Sequence, residues 1–242
     1  MAKSSLKESK SEALEVAEAT ADIIEGAPTG NMALATGSAG IVGDLDASDI
    51  EFPKLGIAQG VGPLSENFRK GAIVLDGEFE ISDGTKEVEF TVLRIGKFFE
   101  ENIPFGEGEI PRIVTPAEQK EIGGTIVGHR GDNGSWVQPD WKPMADALIC
   151  IKGGEPAEAF PFTHGDDSYA FALWRIKRTA YDKGAKPIFS AGATYYRNGL
   201  KNGSFTLTTE KYQFGNNVVH GPKIKKGKVH DPKFIEWLSE FC

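Results

Sequence analysis

A mainly β chain of the α+β class is predicted by three features: short segments that alternate apolar and polar residues, hairpin dipeptides between them, and only a few stretches with helical spacing. Along Glu87 to Lys97, Val88, Phe90 and Val92 share one face and Glu87, Glu89 and Thr91 the other. Asp83-Gly84, Asn198-Gly199 and Asn202-Gly203 are turn signals, because glycine tolerates positive φ. With 242 residues and 40% hydrophobic content, one core with an insertion is expected.

Residues 1–45 contain no aromatic residue and are rich in Ala, Ser, Gly, Glu and Asp. Such an arm buries little and should be mobile. Its one helical stripe is Leu14, Ala17, Ala21 and Ile24, stopped by Gly26 and Pro28. A core domain over 46–230 follows. Phe52-Pro53-Lys54-Leu55-Gly56-Ile57-Ala58-Gln59 opens it in extended conformation, and strands are expected at Gly71 to Glu80 and Glu87 to Lys97, joined at Ser82-Asp83-Gly84-Thr85.

Residues 98–145 read as an insertion rich in glycine and proline. Its one short helix is announced by Thr115-Pro116-Ala117-Glu118, a capping box with proline at the first helical position. Trp136 and Trp141 are either plugs that seal the insertion or exposed stacking surfaces. A buried strand is expected at Ala145 to Lys152, where Cys150 packs as a small apolar thiol, and a short extended piece at Ala159 to Phe162.

The spacing of Tyr169, Ala172, Leu173, Ile176 and Ala180 predicts a helix capped by Asp166, Asp167 or Ser168 and ended by Gly184. Lys186 to Tyr196 and Gly203 to Tyr212 then read as a hairpin, followed by a lysine-rich loop, Lys223 to Lys228. A terminal helix over 231–242 is opened by Asp231-Pro232, with Phe234, Trp237, Leu238 and Phe241 as its apolar stripe. Strand, strand, insertion, strand, helix, strand, strand is the element order of a five-stranded OB-like barrel with a helix between strands three and four.

Charge is distributed unevenly. The net charge is -8, yet residues 1–50 hold three lysines against nine acids while residues 145–242 hold 14 lysines and arginines against 10 acids. An acidic end and a basic end on one chain suit polyanion binding with an internal acidic competitor. Two cysteines are too few for a disulfide framework and point to a reducing compartment. No apolar run reaches the roughly 18 residues that span a bilayer, so a soluble, cytoplasmic protein with no membrane partner is expected.

No Walker loop, paired-cysteine motif, His-Glu-x-x-His or nucleophile elbow occurs, and no cofactor or enzymatic activity is implied. Gly60-Val61-Gly62 and Gly106-Glu107-Gly108 are too isolated to cradle phosphate. Single-strand binding needs cations to follow phosphates and aromatic faces to stack bases. Arg94, Lys97 and Phe99 leave the second strand, Arg175 and Arg178 lie on the expected helix, and Tyr195, Arg197, Lys211 and Tyr212 sit at the ends of the last strands. These nine are the candidate nucleic-acid-binding residues. His164 with Asp166 and Asp167 is the one grouping that suits a metal-dependent hydrolase.

The Phe52 to Gln59 segment, Gly62-Pro63-Leu64-Ser65, the Pro161-Phe162 step and the closing hairpin resemble a group of tailed-phage and prophage proteins over roughly residues 50–225. The resemblance implies an OB-type single-stranded-DNA-binding protein, acting in replication or recombination within a bacterial host. Phage single-strand binders commonly end in an acidic tail, whereas here the acidic segment is at the other end. Homo-oligomerisation and protein partners through the arm or the terminal helix stay open, as does a structural or assembly role in a phage particle.

Overall fold

The computed structural model describes residues 51–104 and 110–241. The acidic arm, its expected helix, Gly106-Glu107-Gly108 and Cys242 lie outside the described residues. Phe52–Leu238 forms one compact body. It is built mainly of antiparallel strands with a few helices, as the α+β expectation requires. No described helix is long and apolar enough to cross a membrane.

A small sheet comes first: β1 (Leu55–Ile57), β2 (Ile73–Leu75) and β3 (Phe79–Ser82). Gly71 to Glu80 is therefore two strands with a turn between them, at Asp76-Gly77, where both residues take positive φ. The Asp83 carboxylate closes the next turn, accepting hydrogen bonds from the Thr85 amide (2.8 Å) and hydroxyl (2.6 Å). Those bonds hold Asp83 down at a pKa of about 2. The turn forms, but it does not join a hairpin. It passes the chain from the small sheet to the large one.

The large sheet contains β4 (Val88–Glu101), β5 (Ile113–Val114), β8 (Trp141–Lys152), β9 (Phe162–His164), β10 (Asp167–Lys177), β11 (Gly203–Phe214) and β12 (Asn217–Val229). Its order is β12-β11-β4-β8-β10-β9, with β5 beside the far end of β4. The edges are β12 and β9, so the sheet is open and the expected five-stranded barrel does not close. The small sheet covers one face instead. Leu173 donates its amide to the Pro53 carbonyl at one side, and Thr209 donates its hydroxyl to the Gly71 carbonyl at the other.

The core lies between these layers. Val88, Phe90 and Val92 point into it from β4, as their alternation predicts, and a bulge between Val92 and Arg94 preserves the pattern. With one extra residue taken up there, Ile95 returns to the core face and Arg94 pairs with Leu148 on the other face. Cys150 is buried on β8.

The helix expected from Asp166 to Gly184 is β10. Tyr169 to Trp174 is almost continuously apolar because this strand is buried on both faces, and such a run satisfies a helical stripe as readily as a strand. Arg175 and Arg178 consequently lie on and just after a strand. The strand expected from Lys186 to Tyr196 is helical: a wide turn over Tyr181–Ala185 leads into α2 (Lys186–Thr194). There the Lys186 amide donates to the Tyr181 carbonyl, five residues back, and that wider spacing accommodates Pro187, which has no N–H to give. Tyr181, Ala185, Ile188 and Ala191 of this segment are buried in the core.

With β11 robbed of its expected partner, the real hairpin is β11 with β12, turning at Gly215-Asn216 between the paired Phe214 and Asn217. Lys223 to Lys228 belongs to β12 and is not a loop.

The insertion is shorter than 98–145, since β4 and β8 stay paired out to Glu101 and Trp141. It holds β5, α1 (Pro116–Ile122) and a small hairpin of β6 (His129–Arg130) and β7 (Trp136–Val137). The capping box forms as expected, with Thr115 Oγ1 accepting from the Glu118 amide and the Glu118 carboxylate accepting from the Thr115 amide. The two tryptophans divide: Trp141 is buried and donates to the Gly123 carbonyl at 2.9 Å, whereas Trp136 is 60% exposed. The terminal helix is α3 (Pro232–Ser239), its start capped by Asp231, whose carboxylate accepts from the Phe234 amide at 3.1 Å.

Candidate nucleic-acid interface

The exposed edge of the large sheet is basic. β12 carries Lys223, Lys225, Lys226 and Lys228, and its register against β11 decides where each points. Lys223 and Lys225 pair with Thr208 and Thr206 on the outer face, where Glu210 and Glu87 bind them at 2.7 and 2.6 Å. Lys226 pairs with Phe205 and so belongs to the opposite side. Its Nζ sits 3.6 Å from the ring centre of Tyr195, at the C-terminal end of α2.

The helical segment from Tyr181 to Tyr195 lies alongside β12. Its beginning touches the strand at Pro222, whose Cγ is 3.0 Å from where a Gly184 Cβ would be. Its end meets Lys226. Near the beginning, Lys183 Nζ lies 5.1 Å from the ring centre of Tyr212. That ring is spread over Gly221, where a Cβ would come within 2.8 Å of it, so glycine is required for the close approach. The two lysine–tyrosine pairs thus mark the ends of one seam along the β12 edge, about 17 Å long at five residues of extended strand, with Tyr212 on the outer face beside Glu210 and Lys226 on the opposite face. Among the described residues, neither Lys183 nor Lys226 has a carboxylate in ion-pair range.

Five of the nine candidates fall at this seam. Tyr195 is 67% exposed and Arg197 follows it, next to Tyr196, whose hydroxyl donates to the Ser204 and Gly227 carbonyls. At the other end are Tyr212 and Lys211, with Arg178 leading into the helical segment at φ 56°. His220 faces this end, held below its ordinary pKa by burial and then by the positive charges of Lys211 and Lys70. Cationic potential and an aromatic face therefore coincide at both ends.

The other four lie elsewhere. Phe99 is 3% exposed and packs with Val114 and Trp141, so it presents no stacking face. Lys97 lies over that buried ring at 4.8 Å. Arg175 is committed to Asp146 through two hydrogen bonds, at 2.9 and 2.8 Å. Arg94 is exposed on the outer face, remote in register from β12. Lys183 and Lys226 were missed by sequence reasoning. For Lys226 a signal existed: Pro222, Ile224 and Lys226 alternate with Lys223 and Lys225 at the period of a strand.

His164, Asp166 and Asp167 line a cleft of about 450 Å³ under the start of α3, together with His230. Among the described residues no group of three His, Cys, Asp or Glu side chains is arranged to hold a metal. His164 packs against Trp237 and Phe234, and Asp167 is bound to Lys152 at 2.7 Å. His230 Nε2 and Thr91 Oγ1 share a hydrogen bond of 2.7 Å. Burial holds His230 below its ordinary value of 6.5, although Glu89 and Asp231 pull upward. A depressed folded pKa means that the unfolded chain takes up the proton first. The stability that neutral His230 contributes is therefore complete above pH 6.5 and is lost as the pH falls through the lower folded value. Thermal unfolding of His230→Gln should show a shallower decline than the parent as the pH falls below 6.5; an identical decline would remove His230 as its source.

No family model, curated protein or solved structure matches this chain.

Proposed function

We propose that the protein binds single-stranded DNA without strong sequence preference, along the seam between β12 and the Tyr181 to Tyr195 segment, with its biological setting in phage replication or recombination. The observation that carries this is the pair of lysine–tyrosine contacts at the two ends of the seam, each with a cation outside ion-pair distance of any described carboxylate, although the Glu210 carboxylate beside Tyr212 acts on Lys183 at longer range. Such a site follows phosphates with its lysines and offers ring faces to bases, the mode of binding that OB-type proteins use, here on an open sheet. Sequence preference is not expected, because neither contact reads a base edge.

Fluorescence anisotropy with a single-stranded oligonucleotide tests it. Affinity should fall linearly on a log–log plot against salt, with a slope of about -0.7 for each phosphate neutralised. Absence of binding at low salt would sink the proposal. A second reading, an assembly component, is favoured by the exposed apolar residues of the insertion, Val127 at 71%, Trp136 at 60% and Ile122 at 50%. It would stand if the oligonucleotide failed to bind and the protein self-associated.

A further inference from the structure

The β11–β12 hairpin outruns the sheet to which it belongs. β11 pairs with β4 only over Ser204 to Leu207. Farther along, the hairpin is anchored at Thr209, whose amide and hydroxyl donate to the Gly84 and Gly71 carbonyls, and at His220, whose backbone exchanges hydrogen bonds with the Gln59 side chain. Beyond these anchors Gln213 to Val218 are all exposed, and their strand pairing is with one another. The end of the hairpin is thus an arm whose side chains face water.

Register sorts those side chains. Tyr212 pairs with Val219 and Phe214 with Asn217, so Tyr212 and Phe214 stand on one face, about 7 Å apart at two residues of strand, while Gln213 and Val218 stand on the other. Phe214 is 54% exposed, and among the described residues no aromatic ring packs on it. An apolar ring held in water on a rigid hairpin is a stacking face without an occupant.

Charge at the arm suits a polyanion. Lys211 to Pro222 contains no acid, in a chain that has 35. Lys183 lies over the Tyr212 ring, Lys211 faces His220 across the arm, and Lys70 adds its charge there beside Gly71, which abuts the His220 ring. Glu210 opposes them and is bound to Lys223 at 2.7 Å. An apolar protein partner closing over the tip would strip water from Lys211 and from the amides of Asn216 and Asn217, whereas a base stacks on one ring face and leaves them wet.

We propose that the projecting hairpin is a further contact for single-stranded DNA, in which Phe214 stacks the base next to the one on Tyr212 and carries the strand past the end of the seam. This role rests on the nucleic-acid reading of the seam.

The full-length protein is titrated with an oligo(dT) of about 16 nucleotides by fluorescence anisotropy at several salt concentrations. Phe214→Ala, with its urea midpoint checked against the parent, should bind about fivefold more weakly at an unchanged salt slope, because a stacked base and no phosphate contact is lost. Phe214→Trp should keep the affinity, and its added indole emission should be quenched by the oligonucleotide. Val218→Ser, on the opposite face, should bind as the parent does. Parent affinity in Phe214→Ala would overturn the role of the arm and leave the seam intact, whereas a parent that fails to bind at low salt would overturn both. A loss in Val218→Ser equal to that in Phe214→Ala would overturn stacking on one face. Dissociation of an oligomer by Phe214→Ala, seen by gel filtration without DNA, would also overturn it and assign the ring to a contact between copies.

Discussion

Replacing Phe90 by alanine is expected to destabilise the protein by about 3–5 kcal/mol. Phe90 is 1% exposed on β4, which lies between β11 and β8 in the large sheet. Its ring stacks on Phe205 of β11 at 5.6 Å and meets Trp174 of β10 edge-on at 5.9 Å. Truncation would remove dispersion contacts with two neighbouring rings and leave a void. The backbone ladders that pin β11, β4, β8 and β10 in register keep those neighbours from closing it. A loss of this size is a large fraction of the roughly 5–15 kcal/mol that holds a typical domain folded. Urea titration should show a lower midpoint at unchanged slope. Phe214→Ala, at a residue 54% exposed on the hairpin tip, should change stability by no more than about 0.5 kcal/mol. Equal effects from the two would show that Phe90 does not organise the core.

The largest expected effect on binding is that of Lys183→Glu combined with Lys226→Glu. Both lysines are exposed, and neither has an ion-pair partner among the described residues, so reversing them should cost little stability. Both lie over tyrosine rings at the ends of the seam, and losing two phosphate contacts should reduce the salt slope by about 1.4. Affinity at low salt should fall by at least about tenfold, since the introduced acids also repel the strand. Tyr195→Ala should lose about 1–3 kcal/mol of stacking and Tyr195→Phe very little, because the ring face and not the hydroxyl would carry the contact. The control is Lys120→Glu, on α1 of the insertion, with one charge reversed away from the seam. If that control weakened binding as much as the double variant, net charge would explain the loss and the seam would not.

Much of the fold could be read locally. The alternation of Val88, Phe90 and Val92 marks a half-buried strand, the Thr115 to Glu118 capping box marks a helix start, and Asp231-Pro232 with its apolar stripe marks the terminal helix. Each depends on residues within a few positions of one another. Misreadings arose where period and burial were decoupled. Tyr169 to Trp174 is apolar on both faces because the core covers one side and α3 the other, with Trp237 packed on Tyr169 and Phe171. Gly184 and Pro187 look like breaks in a helix, yet the five-residue turn at Tyr181 absorbs them. Once β10 was read as a helix and α2 as a strand, β11 was assigned the wrong partner and β12 became a loop.

The site divides in the same way. Its residue types, cations beside tyrosines near the C-terminal end of the chain, were legible, and five of nine candidates reached one seam. Phe99 and Arg175 were not distinguishable from them by type. What removes Phe99 is burial against Val114 and Trp141, and what commits Arg175 is Asp146 on the neighbouring strand, 29 positions away.

Turn chemistry, helix capping, the charge gradient and the half-buried strand over Val88 to Val92 were thus set by neighbouring residues, since backbone propensity and side-chain period act over a few positions. The open edge at β12 and the cleft joining Thr91 to His230 depended on strands paired across more than a hundred positions, and the face on which Lys226 meets Tyr195 depended on the register of β12 against β11. Exposure, ion pairing and ring contact belong to surfaces, and a surface exists only after distant segments have packed.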